Sequence, residues 1–138
     1  MSQALLTGLA RTTRPHSALR RFLALDAVVT GANGIAYAAA SGPLGRFLGI
    51  DSGLLFELGL LLSAYAAGVA LLAARPQPPA AVVKLVVDIN LLWAVLSVVA
   101  LVAWLEPTTA GLVWTPLQAA TVGGFAVLQW TALRAATP

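Results

Sequence analysis

The 138-residue sequence predicts an all-α integral membrane protein, a four-helix bundle whose helices run up, down, up and down. Hydrophobic residues make up 59% of the chain and charged residues 9%, and the mean hydropathy of +0.88 is far above that of soluble domains. Four apolar runs of about 20 residues, the length that a helix needs to cross ~30 Å of hydrocarbon, alternate with connectors rich in helix breakers.

The four runs define the predicted spans, at about residues 22–40, 54–74, 81–105 and 110–133. The connectors read SGPLGRFLGIDSG, RPQPP and EPTTAG, and each contains proline or glycine. The first connector has two interpretations, a short amphipathic turn in the membrane interface or an ordinary loop, with apolar anchors at Leu44, Phe47, Leu48 and Ile50. Residues 1–17 are predicted to form a cytoplasmic tail, and residues 18–138 to form the bundle.

The distribution of basic residues predicts the orientation. Seven of the eight Lys and Arg residues fall on one side of the predicted membrane, and only Arg46 falls on the other. The positive-inside rule therefore predicts a multi-pass protein of the plasma (inner) membrane with both termini in the cytoplasm. Trp104 and Trp114 on the outer side and Trp130 on the inner side are typical of interfacial aromatics. Topology explains the basic excess better than a nucleic acid partner does.

The sequence lacks the motifs of the common enzyme and metal-binding classes. Cysteine is absent and His16 is the single histidine, so disulfides, thiolate metal sites and paired axial haem ligands are excluded. No phosphate-binding glycine loop, zinc-ligand spacing or nucleophile elbow occurs. We therefore expect a non-enzymatic protein without catalytic residues, metal or cofactor, and a quinone-dependent oxidoreductase is the least favoured alternative.

Polar side chains inside the spans should face protein rather than lipid, because an unsatisfied polar group in hydrocarbon costs several kcal/mol. Four polar residues of the first span are spaced i, i+4, i+7 and i+11 and therefore share one helical face: Asp26, Thr30, Asn33 and Tyr37. A neighbouring stripe consists of small residues, which allow another helix to approach closely: Ala27, Gly31, Gly34 and Ala38.

The other three spans add polar residues to this predicted interior. In the second span, Glu57 begins a stripe that continues through Leu61, Ala64 and Gly68. In the third span, Asn90 aligns at intervals of seven with Ser97 and Trp104. On another face of that span, Lys84 and Asp88 are four residues apart and can form an ion pair. The fourth span carries polar and aromatic residues near one face: Trp114, Gln118, Phe125 and Gln129.

Counting along the helices from their charged ends predicts two polar layers. The inner layer contains Asp26, Lys84, Asp88 and Gln129, and the outer layer contains Asn33, Tyr37, Glu57 and Gln118. One interpretation is structural: interhelical hydrogen bonds of about 0.6–2 kcal/mol each, with an ion-pair triad of Asp26, Lys84 and Asp88. The other is a hydrated cavity for a small ligand, ion or proton. The candidate ligand-binding or interior residues are Asp26, Thr30, Asn33, Tyr37, Glu57, Asp88, Asn90, Gln118 and Gln129.

Three segments carry a resemblance to known proteins: RRFLALDAVVTGANGIAY, LLFELGLLLSAYAAGVAL and VVDINLLWAVLSVVAL. Over about residues 18–134 the chain resembles small four-span bacterial integral membrane proteins of unknown function. Its layout distantly resembles the DoxX-like group, in an arginine before the first span and a glycine-bearing second span near Glu57. Neither resemblance implies a catalytic residue set. Similarity to small multidrug transporters would imply a proton-coupled dimer using Asp26, although the glutamate usual in that family is missing.

Two functions from different classes follow. The first is a structural or accessory membrane subunit that binds lipid or another small hydrophobic ligand between its helices. Its expected partners are membrane lipids and either further copies of itself or a larger membrane complex. The second is a small dimeric proton-coupled transporter or channel that uses Asp26 and Glu57.

Overall fold

The computed structural model describes residues 14–103 and 105–136, and these ranges are helical apart from short connectors, without a β-strand. Five helices follow one another along the chain: α1 (Arg14–Ala39), α2 (Ser41–Leu48), α3 (Ser52–Ala73), α4 (Ala80–Ala103) and α5 (Thr109–Ala136). All but α2 are long and apolar enough to cross a membrane. The predicted all-α class with four candidate spans is thereby confirmed.

The helix boundaries follow local chemistry. Asp51 caps α3, since its carboxylate accepts a hydrogen bond from the Leu54 N–H at 3.0 Å. The RPQPP connector ends α3 and starts α4, because proline cannot continue a helix but is well suited to beginning one. Accordingly, the carbonyl oxygen of Pro79 accepts from the Val83 N–H at 3.0 Å.

Two predicted segments differ from the structure. The predicted tail is already helical from Arg14 onward, and residues 1–13 and Trp104 lie outside the described residues. The first connector is a short helix, α2, with Leu48 buried and Phe47 exposed. It ends at Gly49, whose φ of 72° is a left-handed conformation that glycine adopts without strain. The connector is therefore a short helix rather than an ordinary loop, and its position in the membrane interface stays a prediction.

The long helices alternate in direction, so the molecule has two distinct ends. We call the end where α1 and α4 begin and α3 and α5 finish the termini end, and the opposite end, which carries α2, the α2 end. The closest helix pairs are α1 with α3, α4 with α5, and α1 with α5. Helices α3 and α4 make few direct contacts. One of the cavities described below lies between them.

An apolar core lies at the termini end. Leu19, Leu23 and Val83 have 0% exposure there, and all four long helices contribute to the cluster: Leu19, Leu23, Ala27, Val69, Leu72, Ala73, Val83, Val86, Ala132 and Leu133. In a lipid environment such a cluster holds helices together through close packing, since lipid tails are as apolar as leucine.

The small-residue stripe of α1 forms a close contact with α3, as its spacing predicts. A Cβ atom at Gly34 would lie 2.7 Å from the Ser63 nitrogen and 2.9 Å from the Gly59 carbonyl oxygen. A Cβ atom at Gly59 would in turn lie 2.7 Å from the Gly34 carbonyl oxygen. We call this contact the glycine seam; only glycine at both positions lets the two backbones come so close.

Candidate functional site

A group of hydrogen-bonded polar side chains joins all four long helices. We call it the polar cluster; it consists of Asp26 and Thr30 of α1, Tyr65 of α3, Asn90 of α4 and Gln129 of α5. Asp26 and Gln129 have 0% exposure and Asn90 has 2%. Side chains from all four long helices therefore form one connected hydrogen-bond network that includes a buried carboxylate.

Asp26 accepts three hydrogen bonds, all from neutral donors. Its Oδ1 atom accepts from the Thr30 hydroxyl at 2.8 Å. Its Oδ2 atom accepts from the amide nitrogens of Asn90 and Gln129, each at 2.8 Å. Within the described residues no basic side chain bonds to this carboxylate, so dipoles rather than a cation compensate for its removal from water.

The two amides complete the polar cluster. Asn90 Nδ2 also donates to Gln129 Oε1 at 3.1 Å, and the Tyr65 hydroxyl donates to Asn90 Oδ1 at 3.0 Å. In the described part of the chain every buried side-chain nitrogen or oxygen has a hydrogen-bond partner. The polar cluster is thus internally satisfied, which is the arrangement that structural hydrogen bonds between helices require.

A cleft opens between α3 and α4 toward the α2 end, with a volume of about 290 Å³. The Tyr65–Asn90 bond holds α3 beside α4 nearer the termini end. Beyond it the glycine seam keeps α3 against α1, and so away from α4. We call this space the α3–α4 cleft; all four long helices and two connector residues line it: Tyr37, Ile50, Leu54, Leu55, Leu58, Trp93, Leu96, Ser97, Ala100, Leu105, Trp114, Thr115 and Gln118.

The polar groups of the α3–α4 cleft are largely bonded to one another. The Trp114 indole N–H donates to the Tyr37 hydroxyl at 2.6 Å, and the Trp93 N–H donates to Gln118 Oε1 at 2.9 Å. The Ser97 hydroxyl donates to the carbonyl oxygen of Trp93 at 2.7 Å. What the cleft offers a ligand is therefore mostly aromatic and aliphatic surface. The Tyr37 hydroxyl accepts from Trp114 and donates to no group among the described residues, so its hydrogen remains available to a ligand.

A second, smaller cavity of about 130 Å³ lies between α1 and α5, and we call it the α1–α5 groove. Asn33 lies on its wall, half-buried, and its amide has no hydrogen-bond partner among the described residues. Thr30 also lines this groove, so its hydroxyl connects the groove with the Asp26 carboxylate. Neither cavity is lined by Asp26 itself.

Seven of the nine candidate residues from the sequence lie in these features. The structure places four of them in the polar cluster: Asp26, Thr30, Asn90 and Gln129. It places Tyr37 and Gln118 in the α3–α4 cleft and Asn33 in the α1–α5 groove. Of the predicted inner layer, only Asp26 and Gln129 are joined by a direct hydrogen bond. Three members of the predicted outer layer, Asn33, Tyr37 and Gln118, line the two cavities.

Glu57 and Asp88 are exposed, and the prediction that they belong to the interior is wrong. Each lies two positions from a buried residue of its own helix, Leu55 and Asn90 respectively. Two positions correspond to a rotation of about 200° around an α-helix, which directs the acid away from the bundle. The rest of the predicted stripe of α3 is exposed as well: Leu61, Ala64 and Gly68.

The predicted ion pairs do not form in the described part of the chain. Asp26 is bonded by Thr30 and the two amides instead. Lys84 lies over the indole ring of Trp130, 5.9 Å from the ring centroid, rather than against Asp88. Neutral donors at the right depth satisfy the buried carboxylate, so the lysine remains at the surface.

Sequence reasoning missed Tyr65 and Trp93, which link α4 to its neighbours through Asn90 and Gln118. The sequence nevertheless contains a feature that points to both residues. Each is an aromatic side chain with one polar atom in the middle of an apolar run, and such an O–H or N–H group needs a partner away from water.

These observations define the class: an all-helical protein with four helices long and apolar enough to cross a membrane. No family model matches the chain, and neither a curated protein nor a solved structure shows significant similarity to it. The resemblances to small four-span bacterial membrane proteins and to the DoxX-like group therefore stay predictions. Among the described residues no group of three or more His, Cys, Asp or Glu side chains could hold a metal ion.

Proposed function

We propose that the chain is a multi-pass protein of the plasma membrane whose four long helices cross the bilayer as a bundle, with both termini in the cytoplasm. The outward-facing surface supports insertion, because large apolar side chains such as Val102, Leu71 and Val28 are 82%, 74% and 68% exposed. A surface of this kind is suited to lipid rather than water. The orientation is supported by the described basic residues, which lie at the termini end with the exception of Arg46 at the α2 end.

Within this membrane protein, the α3–α4 cleft binds an acyl chain or another slender hydrophobic ligand, and the protein acts as a non-enzymatic structural or accessory subunit. The single observation that carries this proposal is the cleft itself. Its volume of about 290 Å³ lies at the lower limit of small-molecule sites, roughly 300–1,000 Å³. That volume suits a chain segment better than a bulky ring system. The free hydrogen of the Tyr37 hydroxyl can donate to an ester carbonyl oxygen of such a ligand.

A pair of matched substitutions on α4 tests this function. Ala100 lines the α3–α4 cleft, whereas Ala103, one helical turn further along, is exposed and does not line it. The purified variants Ala100→Phe and Ala103→Phe would be reconstituted in phosphatidylcholine, released into detergent and examined by native mass spectrometry. We expect wild type and Ala103→Phe to retain one phospholipid per chain, and Ala100→Phe to retain at least tenfold less.

Circular dichroism during heating provides the control for folding. If Ala100→Phe melts like the wild type and still retains phosphatidylcholine to the same extent, the cleft is not the ligand site. The proposal fails equally if the wild type retains no lipid.

Proton-coupled transport by a dimer is the second candidate. One observation favours it: the Thr30 hydroxyl links the α1–α5 groove to the buried Asp26 carboxylate. In this candidate Asp26 carries the proton, because Glu57 is exposed and lines neither cavity. The measurement is proton flux into liposomes that contain the purified protein, with Asp26→Asn for comparison; no flux above empty liposomes excludes this candidate.

A further inference from the structure

Two cationic side chains converge on one tryptophan at the termini end. The Lys84 Nζ atom and the Arg134 Cζ atom each lie 5.9 Å from the centroid of the Trp130 ring. Lys84 belongs to the first turns of α4 and Arg134 to the last turn of α5, so the ring lies where these two packed helices meet. All three side chains are exposed, Trp130 at 38%.

This arrangement leaves positive charge without a matching acid. Neither Lys84 nor Arg134 forms an ion pair within the described residues, although Asp88 is exposed one turn along α4 from Lys84. The other acid near this end, Asp26, is buried and already accepts three hydrogen bonds. Cation–π contact with the Trp130 ring leaves both positive charges in place, because the ring itself carries no net charge.

The same three side chains also carry hydrogen-bond donors without an acceptor among the described residues. The indole N–H of Trp130 has no acceptor in the described part of the chain, unlike those of Trp93 and Trp114. Lysine and arginine side chains only donate hydrogen bonds. The three residues therefore present a set of donors and two positive charges to their surroundings, and a group with several acceptor oxygens and a negative charge complements them.

We propose that Lys84, Trp130 and Arg134 form a binding site for the phosphate of an anionic phospholipid. Its phosphate oxygens accept from the lysine ammonium, the arginine guanidinium and the indole N–H. Its acyl chains lie along exposed apolar residues of α4 and α5, such as Leu85 and Val127, which are 57% and 61% exposed. The proposal rests on the membrane insertion proposed above but not on the ligand of the α3–α4 cleft, which lies toward the opposite end of the molecule.

The neighbouring basic residues do not share this arrangement. Arg20 is occupied, since its Nε–H donates to the carbonyl oxygen of Ala73 at 2.9 Å. Arg75 lies in the connector between α3 and α4, and Arg46 is at the α2 end. A general attraction of the basic termini end to an anionic membrane would involve every basic residue there, whereas the proposed site depends only on Lys84 and Arg134.

The test compares two double variants that lose the same charge. Lys84→Gln with Arg134→Gln removes both cations from the site, and Arg46→Gln with Arg75→Gln removes two cations elsewhere. Each protein would be incorporated into vesicles of phosphatidylcholine and phosphatidylglycerol at a ratio of four to one. The bound lipids would then be counted by native mass spectrometry. Removing two basic side chains that face an anionic lipid should weaken its binding about 10- to 30-fold. We therefore expect phosphatidylglycerol enrichment to fall by this factor in Lys84→Gln/Arg134→Gln only.

Two further variants separate charge from geometry. Lys84→Arg with Arg134→Lys keeps both charges and should keep most of the enrichment. Trp130→Phe removes the N–H donor but retains an aromatic ring, and should reduce enrichment by a few-fold. Unchanged enrichment in Lys84→Gln/Arg134→Gln, or an equal loss in Arg46→Gln/Arg75→Gln, overturns the proposal.

Inorganic phosphate distinguishes the lipid from the free anion. Excess phosphate, with matched ionic strength as the reference, should leave phosphatidylglycerol bound, because the lipid also packs its acyl chains on α4 and α5. Full displacement would assign the site to a free phosphate and overturn the lipid proposal. Ala100→Phe should keep its phosphatidylglycerol enrichment, so failure of the cleft function and failure of this site give different results.

Discussion

At the scale of the residue, the burial of Asp26 without a cation is the feature that most constrains this protein. A carboxylate with 0% exposure would be costly without compensation. Three helices supply that compensation, through the Thr30 hydroxyl and the amides of Asn90 and Gln129. The polar cluster therefore makes each of its members more important to stability than an isolated hydrogen bond would be.

Asn90 and Asn33 provide a matched test of this interpretation. Asn90→Leu removes a donor to Asp26 and leaves Gln129 Oε1 and the Tyr65 hydroxyl with one partner fewer. We expect the free energy of unfolding to fall by about 2 kcal/mol or more. Asn33→Leu removes an amide that has no hydrogen-bond partner in the described residues. It should change the free energy of unfolding by less than about 0.5 kcal/mol.

Reversible unfolding in mixed micelles, followed by circular dichroism, would measure both values. Similar losses in the two variants would contradict the assignment of the polar cluster as the structural centre of the fold.

At the scale of the element, the position of α3 determines the shape of the interior. The glycine seam keeps α3 on α1, and the Tyr65 hydroxyl is its hydrogen-bonded link to α4. Helices α4 and α5 pack closely as a separate pair. The α3–α4 cleft thus exists because α3 has one close neighbour along its length and touches the other only near the termini end.

Two glycines of α3 allow this account to be tested. Gly59 lies in the glycine seam, whereas a Cβ atom at Gly68 would meet no heavy atom within 4 Å. Gly59→Val should force α1 and α3 apart and lower the free energy of unfolding by about 1–3 kcal/mol. Gly68→Val adds the same side chain to the same helix on the open side.

The midpoint of thermal unfolding would be compared for these two variants in the same detergent. We expect a clear decrease for Gly59→Val and little change for Gly68→Val. Equal decreases would show that helix propensity, and not the glycine seam, is responsible.

At the scale of the whole molecule, the two ends differ in charge and in packing. The termini end carries the apolar core and most of the basic residues, whereas the α2 end carries the open part of the α3–α4 cleft. In the proposed orientation, the closed end faces the cytoplasm and the cleft lies in the outer half of the membrane. A ligand would then enter the cleft from the outer leaflet.

The absence of cysteine from the sequence allows the orientation to be measured directly. Ser17 and Ser52 are exposed at the termini end and the α2 end, and cysteine differs from serine by a single atom. In intact cells, a membrane-impermeant maleimide should label Ser52→Cys and should label Ser17→Cys only after permeabilisation. The opposite pattern would reverse the orientation, and labelling of both in intact cells would contradict four crossings.

The interior of α1 was predictable because its polar residues are numerous enough to define a face. Asp26 and Thr30 repeat at helical spacing, and unsatisfied polar groups cannot face lipid, so the inward side of α1 follows from the sequence. In α3 the same argument relied on Glu57 alone and selected the wrong side. Glu57 lies near the end of its helix, where an acid can remain exposed, so it carries little information about the interior.

The sequence by itself determined four long apolar helices, their approximate limits and the inward face of α1, because hydropathy and helical periodicity are local properties of a chain. Only the tertiary structure decided which sides of α3 and α4 face inward, that neutral amides rather than Lys84 satisfy Asp26, and that a cleft separates α3 from α4. The physical reason is that a membrane-spanning helix is apolar on its lipid side and on its protein side alike. Which side of such a helix faces inward therefore depends on close packing at glycine and on a few buried hydrogen bonds. Both require partners from distant parts of the chain.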